Sequence, residues 1–484
     1  MEIGERAEAL KTGEVSLLGA VMTGAAVMAP AASILFGVAL VAGVAGSAVP
    51  LIFLIAAIGV LATGNTLARF ARVWPSAGSF VTFITRVFGS TVGLAVGVAV
   101  LLGWLVAYAA VYVFIGDFLA HDFFGGADDD LTTSLLIVGF VAIALVPVVR
   151  GVRLSVRVSL IALLVEVAVI AVIGVSVLVQ GGADGISLSP FSLPDGGLEP
   201  IALGFAITVF LFGGFEQPVP MAEETRNPRR NVPLAVVLCI VGIGALYVFA
   251  AWFLVLAFGD GAALAQQADP IHAAADEYAS WLAPLVKWVL LSSFLGFAVA
   301  ANTAVSRIVF NTAREGLLPK PLGALHRRHG TPAVAAFTFA GAGVAIGVGS
   351  KLVADSADAV TLLSTVGSLL IISMYVLVNA ALVVWWWRER RAGREHGAVA
   401  HVVVPLAGIA VLASPYYYNL KPGQPSPLDL VPWGLALLAA VAAGFTALVR
   451  RRNPEHLATA GRVLAGEADA ATAPDAAVAR AVGS

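Results

Sequence analysis

Two glutamates stand deep inside apolar stretches of the sequence, where no water is available to solvate a charge. Glu166 lies in "SLIALLVEVAVIAVIG", and Glu216 lies in "FLFGGFEQPVP". A charge in hydrocarbon costs about 2.5–3.5 kcal/mol on insertion scales, so each glutamate is a candidate functional residue by default. The chemistry available to these carboxyl groups is the uptake and release of a proton or a cation.

Glu166 is the candidate for ion coupling. Counted from Ser155, it lies more than halfway across a hydrocarbon core of ~30 Å, and its segment carries no basic residue within one helical turn of it. A carboxyl group without a cation at that depth favours its neutral form, and it releases its proton when the cavity fills with water or a cation arrives. We expect coupling to a proton gradient, with sodium coupling or exchange as rival mechanisms. A neutral glutamate bonded to nearby backbone is the structural alternative.

Glycines and a proline predict a break in the helix that carries Glu216. Pro218 lacks an N–H and clashes with the carbonyl of Gly214, and Gly213 and Gly214 are poor helix formers. We expect two half-helices joined by unwound backbone at residues 212–215. Glu216 then lies in the first turn of the second half, where its charge meets the positive end of the helix dipole.

Unwound backbone at membrane depth must be buried in protein or line a cavity. Such discontinuous helices form the substrate sites of secondary transporters. The carbonyls of Leu211 and Phe212 would then accept hydrogen bonds from an ammonium group. A simple glycine–proline kink, packed against its neighbours, is the alternative.

The first apolar segment, "LGAVMTGAAVMAPAASILFG", contains a second predicted break. Pro30 removes one helical hydrogen bond and should free a carbonyl near Ala26. A half-helix that starts at Pro30 would direct the N–H groups of Ala31, Ala32 and Ser33 into the membrane centre, which is an anion site suited to a carboxylate. The residues around this break are small: Gly24, Ala25, Ala29 and Ala31.

Two further groups of residues are candidates for coupling or gating. Ser292 and Ser293 are expected to line a cation site opposite the first segment, although serines are also common in helix cores. Arg307 lies near one membrane surface, as do Glu223 and Glu224, and their pairing would close a gate. The alternative is an Arg307 side chain that extends to the interface without a partner.

The elements that carry these residues must be membrane-spanning helices. The 484-residue chain is 59% hydrophobic and 12% charged, with a mean hydropathy of +0.93, whereas soluble domains contain about 25% charged residues. The net charge of -2 argues against a nucleic-acid partner. Cys239 is the single cysteine, which excludes a disulfide framework and a cysteine metal cluster. We therefore expect neither a metal nor a cofactor.

We expect twelve transmembrane segments, because a membrane helix needs about 20 mostly apolar residues. The segments lie at roughly 15–43, 47–71, 91–120, 131–149, 153–179, 198–222, 232–258, 281–313, 332–353, 358–387, 399–415 and 428–450. Arginines concentrate in alternate loops, and the positive-inside rule then places residues 1–14 and 451–484 in the cytoplasm. The chain is thus expected to be a multi-pass protein of the cell membrane.

Three sequence motifs resemble those of the amino acid–polyamine–organocation permeases. The stretch "GFEQPVPMAEETRNPRRNVPLAV" resembles the sixth-helix motif of that family, and "SRIVFNTAREGLLPKPLGALHRRHGTPAVA" resembles its eighth helix and following loop. "RFARVWPSAGSFVTFITRVFG" resembles the loop after its second helix. The matches occur in family order and cover roughly residues 10–450.

The resemblance implies an all-α membrane protein with the five-plus-five inverted-repeat (LeuT-type) fold and broken helices 1 and 6. Residues 15–387 would form the ten-helix core and residues 399–450 two additional helices. Phe210 then takes the position of an aromatic gate above the substrate, and Glu166 the position at which some members carry a lysine that replaces a sodium ion. The first break, "MAPAAS", departs from the glycine–serine–glycine–isoleucine run of many members and is closer to the putrescine importers.

The implied function is transport of an amino acid, a polyamine or a related amine, in the lipid bilayer and coupled to an ion, without chemical conversion. A non-transporting nutrient receptor and an intramembrane enzyme are the alternatives from other classes. The seven histidines all fall in loops, tails or helix ends, which disfavours an enzyme. The sequence has no Walker motif, so it does not hydrolyse ATP to pump its solute.

Cysteines introduced at Asp129 and Arg391 test the predicted orientation. The Asp129→Cys protein should react with a membrane-impermeant thiol reagent in intact cells, because its acidic loop is expected outside. The Arg391→Cys protein should react only after the membrane has been permeabilised. The opposite pattern of labelling would contradict the topology and, with it, the assignment of the inverted repeats.

Overall fold

The computed structural model describes residues 10–126, 129–194 and 197–461. Within these ranges the regular structure is helical, apart from one isolated bridge between Val15 and Thr225. The first nine α-helices are α1 Leu17–Val27, α2 Pro30–Ala45, α3 Val49–Val73, α4 Ser79–Phe88, α5 Ser90–Phe123, α6 Asp130–Arg150, α7 Val152–Gln180, α8 Leu198–Leu211 and α9 Pro228–Phe258. The others are α10 Gly261–Ala265, α11 Pro270–Tyr278, α12 Ala283–Arg314, α13 Ala333–Ser350, α14 Ser356–Arg391, α15 Val404–Leu412, α16 Ser414–Leu420, α17 Val431–Arg452 and α18 Pro454–Thr459.

The prediction of an all-α membrane protein is confirmed. Ten helical stretches of the described chain are long and apolar enough to cross a membrane, when residues 17–73 are counted as one stretch of 57 residues. That stretch contains both the first and the second predicted segments. The sixth predicted segment contributes only α8, an apolar helix of 14 residues that is shorter than a full span. Large apolar side chains face outward along the bundle, among them Leu131, Val179 and Trp433.

The loops fall into two groups, one at each end of the bundle, and the loops within a group contact one another. At the first end, Arg229 donates to the carbonyls of Arg72 and Val73, Thr331 to that of Val149, and Arg388 to that of Val87. At the opposite end, Gln180 donates to the carbonyl of Tyr278, the Gly261 N–H to Ser47, and Lys351 to Asp117. We call the first of these the basic end. These groups are the same as those that the distribution of arginines predicts.

The chain termini were predicted as segments 1–14 and 451–484, of which residues 1–9 and 462–484 lie outside the described residues. The described part of the first terminus crosses the basic end, where the Val15 N–H donates to the Glu224 carbonyl at 2.9 Å. The second continues into α18, where Leu457 is buried. Helix α18 packs against α5 and α17, because Leu457 belongs to a buried apolar cluster with Leu94 and Val449.

The single cysteine lies at a contact between two helices. Cys239 of α9 is 1% exposed, and its thiol donates to the carbonyl of Val21 on α1 at 2.9 Å. A Cβ atom added to Gly24 of α1 would lie 2.6 Å from the sulfur atom. The interface between α1 and α9 is therefore tight enough to exclude water from this thiol.

Helices α5 and α14 approach each other closely enough for backbone to touch backbone. A Cβ atom at Gly367 would lie 2.6 Å from the carbonyl oxygen of Gly103 and 2.8 Å from the amide nitrogen of Ala107. Small residues at such contacts let membrane helices pack without intervening side chains. Because the obstructing atoms belong to the backbone, a side chain at Gly367 cannot be accommodated by a change of rotamer.

The Gly367→Ala variant should therefore lose thermal stability in detergent. Overpacking costs about 1–3 kcal/mol, which exceeds the gain of up to about 1 kcal/mol from replacing a helical glycine by alanine. Gly444→Ala in α17 is the matched control, because no atom lies within 4 Å of its added Cβ. A melting temperature of the Gly367→Ala protein that equals or exceeds that of the Gly444→Ala control would contradict the close approach of α5 to α14.

Candidate functional site

The first predicted break lies between α1, which ends at Val27, and α2, which begins at Pro30. Ala29 joins them in the left-handed conformation, with φ 44° and ψ 68°, which is costly for a residue other than glycine and typical of functional sites. The prediction of a free carbonyl near Ala26 is wrong, because this tight turn brings the Ala29 N–H to 3.1 Å from it. The carbonyl of the joint that side chains bind is instead that of Met28.

The Met28 carbonyl receives two side-chain donors. The hydroxyls of Ser33 and Tyr247 each lie 2.7 Å from it. The backbone N–H of Ser33 donates to the Ala29 carbonyl within the first turn of α2. Ser33 is therefore fully engaged in holding the joint, and neither of its donors is directed towards a ligand.

The positive end of α2 faces a carboxyl group that belongs to the chain. The Ala31 N–H donates to Oε2 of Glu166 at 3.1 Å, and the Ser293 hydroxyl donates to the same oxygen at 2.8 Å. Glu166 lies on α7 and Ser293 on α12, so this one oxygen connects three helices. The Ala32 N–H has no hydrogen-bond acceptor among the described residues.

The second oxygen of Glu166 has a different environment. The side chain is 1% exposed, yet no donor from the described part of the chain binds Oε1. Gly296 of α12 lies beside this oxygen, and a Cβ atom added there would be 4.0 Å from it. Of the two predicted serines, only Ser293 reaches this site, because Ser292 donates to the Val289 carbonyl of its own helix.

The second break follows Leu211, where α8 ends. The expected second half-helix is wrong, because residues 212–221 form successive turns with hydrogen bonds from residue i+3 to residue i, followed by a 3₁₀ turn at Ala222–Glu224. Pro218 and Pro220 each remove an N–H that an α-helix would use, and Gly214 adopts a φ of 115°. The backbone between the end of α8 and the basic end is therefore a series of tight turns and not an α-helix.

Glu216 is held by three separate donors rather than by a helix dipole. The Gly214 N–H lies 3.0 Å from Oε2 and the Tyr375 hydroxyl 2.8 Å from the same oxygen, while Nε2 of Gln217 lies 3.0 Å from Oε1. The carboxyl group is 2% exposed. Neither it nor Glu166 forms an ion pair with a described lysine, arginine or histidine.

The two joints touch each other. The Tyr247 hydroxyl that binds the Met28 carbonyl also lies 3.0 Å from the carbonyl of Leu211. A Cβ atom added to Gly214 would lie 2.9 Å from the Met28 nitrogen. Tyr247 was missed from the sequence, as was Tyr375, although a hydroxyl group within a long apolar run is a signal that marks both.

The residues predicted around the second joint differ in their availability to a ligand. The Leu211 carbonyl shares the single hydroxyl proton of Tyr247 with the Met28 carbonyl, whereas no donor from the described residues binds the Phe212 carbonyl. The Gly213 N–H donates to the Phe210 carbonyl at 2.9 Å. The Phe210 side chain is 42% exposed, and its role as an aromatic gate stays a prediction.

Several buried polar side-chain atoms of the described residues lack a hydrogen-bond partner. Among them are the Tyr108 hydroxyl, Oε1 of Gln217, Oδ1 of Asn302 and the Thr303 hydroxyl. Native proteins leave few buried polar atoms unpaired, and each one marks a place where a water or ligand is expected. Gln217 is adjacent to Glu216, so one such atom belongs to the second joint.

Two ion pairs link the residues after the second joint to α12 at the basic end. Arg307 pairs with Glu224, with both side chains at least 98% buried, and Arg314 pairs with Glu223 at 2.7 Å. The predicted pairing of Arg307 with the acidic pair Glu223 and Glu224 is made by Glu224, whereas Glu223 binds Arg314 instead. The Glu223 side chain contacts α12 further along, at Arg314, and also accepts the Ala77 N–H at 3.2 Å. This arrangement leaves Glu224 to face Arg307.

Comparison with known proteins gives one family and several relatives. The family model described as "Amino acid permease" matches residues 15–449. The low-affinity putrescine importer PlaP of Escherichia coli (strain K12) is 28% identical over 466 residues, which cover 93% of this chain and 96% of the relative. The branched-chain amino acid permease BcaP of Bacillus subtilis (strain 168) is 24% identical over 389 residues, which cover 76% of this chain and 79% of the relative. The matched region of the family model contains both joints and both buried carboxyl groups.

Proposed function

The chain belongs to the amino acid permease family, and from that premise we propose that it moves a small amine-bearing solute across the cell membrane by alternating access. The members of this family are permeases, so the chain is a transporter and not an enzyme. Its relatives include a putrescine importer and branched-chain amino acid permeases. Amine transport and amino acid exchange are therefore the two functions to be distinguished.

One observation carries the proposal of an amine. Two interrupted helices meet at joints that Tyr247 bridges, and each joint holds a buried carboxyl group without a cation among the described residues. Interrupted helices that meet at the membrane midplane are the binding sites of secondary transporters. Since a buried charge requires a partner, an ammonium group is the ligand that this pair of joints favours.

The architecture proposed for this transporter has twelve transmembrane helices. Residues 15–387 form a five-plus-five inverted repeat in which α1–α2 and α8 with its following turns are the broken helices. Residues 399–450 add two helices outside the repeat. The excess of arginine at the basic end supports a cytoplasmic location for that end and for both termini.

The ion pairs at the basic end are proposed to close the cytoplasmic gate. Arg307 and Glu224 are both buried, so separating them without water would cost about 3–5 kcal/mol. Opening must therefore admit water to both side chains together. The Val15 N–H binds the Glu224 carbonyl and thereby ties the N-terminal segment to the same gate.

A proton is proposed as the coupling ion, with Glu166 as its carrier. The hydrogen bonds from Ala31 and Ser293 both end on Oε2, so Oε1 is available to carry a proton. An arriving ammonium group would favour the ionised carboxylate, and the proton would leave as the substrate binds. The exchange of one positive charge for another keeps the buried site near neutrality.

The Glu216→Ala variant should insert into the membrane normally and transport poorly. The substitution leaves the Gly214 N–H and the hydroxyl of Tyr375 without an acceptor and removes the charge of the second joint. Initial rates of uptake should fall about 10- to 100-fold, which corresponds to about 1.4–2.7 kcal/mol. Glu199→Ala, an exposed position in the first turn of α8, is the control. Wild-type rates at normal surface abundance would contradict a role for Glu216.

The Glu166→Gln variant tests proton coupling. Glutamine keeps an oxygen for the Ala31 and Ser293 donors but cannot take up or release a proton. The variant should therefore bind and exchange substrate through the remaining acceptors of the joints but should not accumulate it under an imposed pH gradient. Ser159→Ala, a buried position two turns earlier on α7, controls for the loss of any polar group from that helix. If the glutamine variant still concentrates substrate when a pH gradient is imposed, Glu166 does not carry the coupled proton.

A further inference from the structure

The start of α2 is where a substrate carboxylate would be expected to bind. In transporters with broken helices, the N-terminus of a half-helix points at the anionic group of the substrate. Here that position is filled. The Ala31 N–H and the Ser293 hydroxyl both donate to Glu166, and the Ser33 N–H and hydroxyl donate to Ala29 and Met28.

We infer that Glu166 acts as a built-in carboxylate that takes the place of a substrate carboxylate, so the transported solute is an aliphatic amine without a carboxyl group. This inference rests on the proposed function and deepens it by naming the substrate class. Glu166 is thus a specificity-determining residue as well as the proposed proton carrier. In either protonation state its Oε2 occupies the donors that an amino acid would need.

The groups that remain unpaired at the joints support the same conclusion. They are mainly acceptors: Oε1 of Glu166, the Phe212 carbonyl and Oε1 of Gln217, each without a donor from the described residues. Gln217 is fully buried, so its unpaired oxygen is a cost that a ligand would remove. An ammonium group offers three donors and no acceptor, and is therefore the kind of group that unpaired acceptors would bind.

An α-carboxylate on the substrate would bind unfavourably at the start of α2. It would bring a second negative group beside Glu166 in a medium of low dielectric, where repulsion between like charges is strong. The Ala32 N–H is the one donor of the first turn of α2 that lacks an acceptor in the described chain, and one neutral N–H does not replace the two donors that Glu166 holds. An amine that carries a carboxylate should therefore be rejected relative to the same amine without it.

Matched pairs of solutes test this inference in the full chain reconstituted into proteoliposomes. Putrescine and ornithine differ only by the α-carboxylate, as do cadaverine and lysine. In counterflow, the wild-type protein should have half-saturation concentrations that are about 10-fold or more lower for the two diamines. In the Glu166→Ala variant, the start of α2 loses its acceptor, and the ratio should shift about 10-fold or more towards the amino acids. Ser159→Ala should keep the wild-type ratio. A merely structural effect on α7 would change the ratio in this control as well.

The outcomes separate this inference from the proposed function. Equal or lower half-saturation concentrations for ornithine and lysine in the wild-type protein would overturn the inference while leaving a working transporter. This comparison needs no variant, so it holds even if Glu166→Ala fails to fold. An unchanged ratio in a well-folded Glu166→Ala protein would also overturn it. The absence of counterflow with every amine and amino acid tested would instead contradict the transporter function itself.

Discussion

Backbone groups at membrane depth must find partners inside the protein, and the centre of this molecule is organised by that requirement. Each helix break exposes N–H and C=O groups that the helix no longer satisfies. At the first break, Glu166 accepts from Ala31, and Tyr247 donates to Met28. At the second, Glu216 accepts from the Gly214 N–H. The two carboxyl groups that bind the free N–H groups at the breaks are therefore also the groups that give the site its negative character.

This arrangement makes stability and recognition depend on the same atoms. The Glu166 oxygen that accepts from Ala31 connects α2 to α7 and, through Ser293, to α12. Tyr247 of α9 contacts both joints, and Tyr375 connects α14 to the second joint. A change of protonation or occupancy at either carboxyl group thus alters contacts between helices that are far apart in sequence. Such coupling is what alternating access requires of a binding site.

The sequence predicted the features that arise from local chemistry. Pro30 and Pro218 interrupt their helices through local backbone chemistry that does not depend on distant contacts. The apolar runs predict the ends of the other helices to within a few residues. The partners could not be predicted, because Ala31 and Glu166 are 135 residues apart, and Glu216 and Tyr375 are 159 residues apart. The second half-helix expected after residue 215 does not form, because Pro218 and Pro220 each remove a backbone N–H from this short segment. Arg307 selects Glu224 over Glu223 through the path of the backbone, which the sequence does not specify.

The burial of Cys239 against α1 has a consequence for observing this protein at work. Its sulfur atom is covered by Gly24 and bound to the Val21 carbonyl, so a thiol reagent reaches it only when α1 separates from α9. Because the chain has no other cysteine, the modification rate of the unaltered protein measures how often that interface opens. The native sequence thus contains its own reporter of movement at the first broken helix, and substrate or pH can be varied without introducing any label.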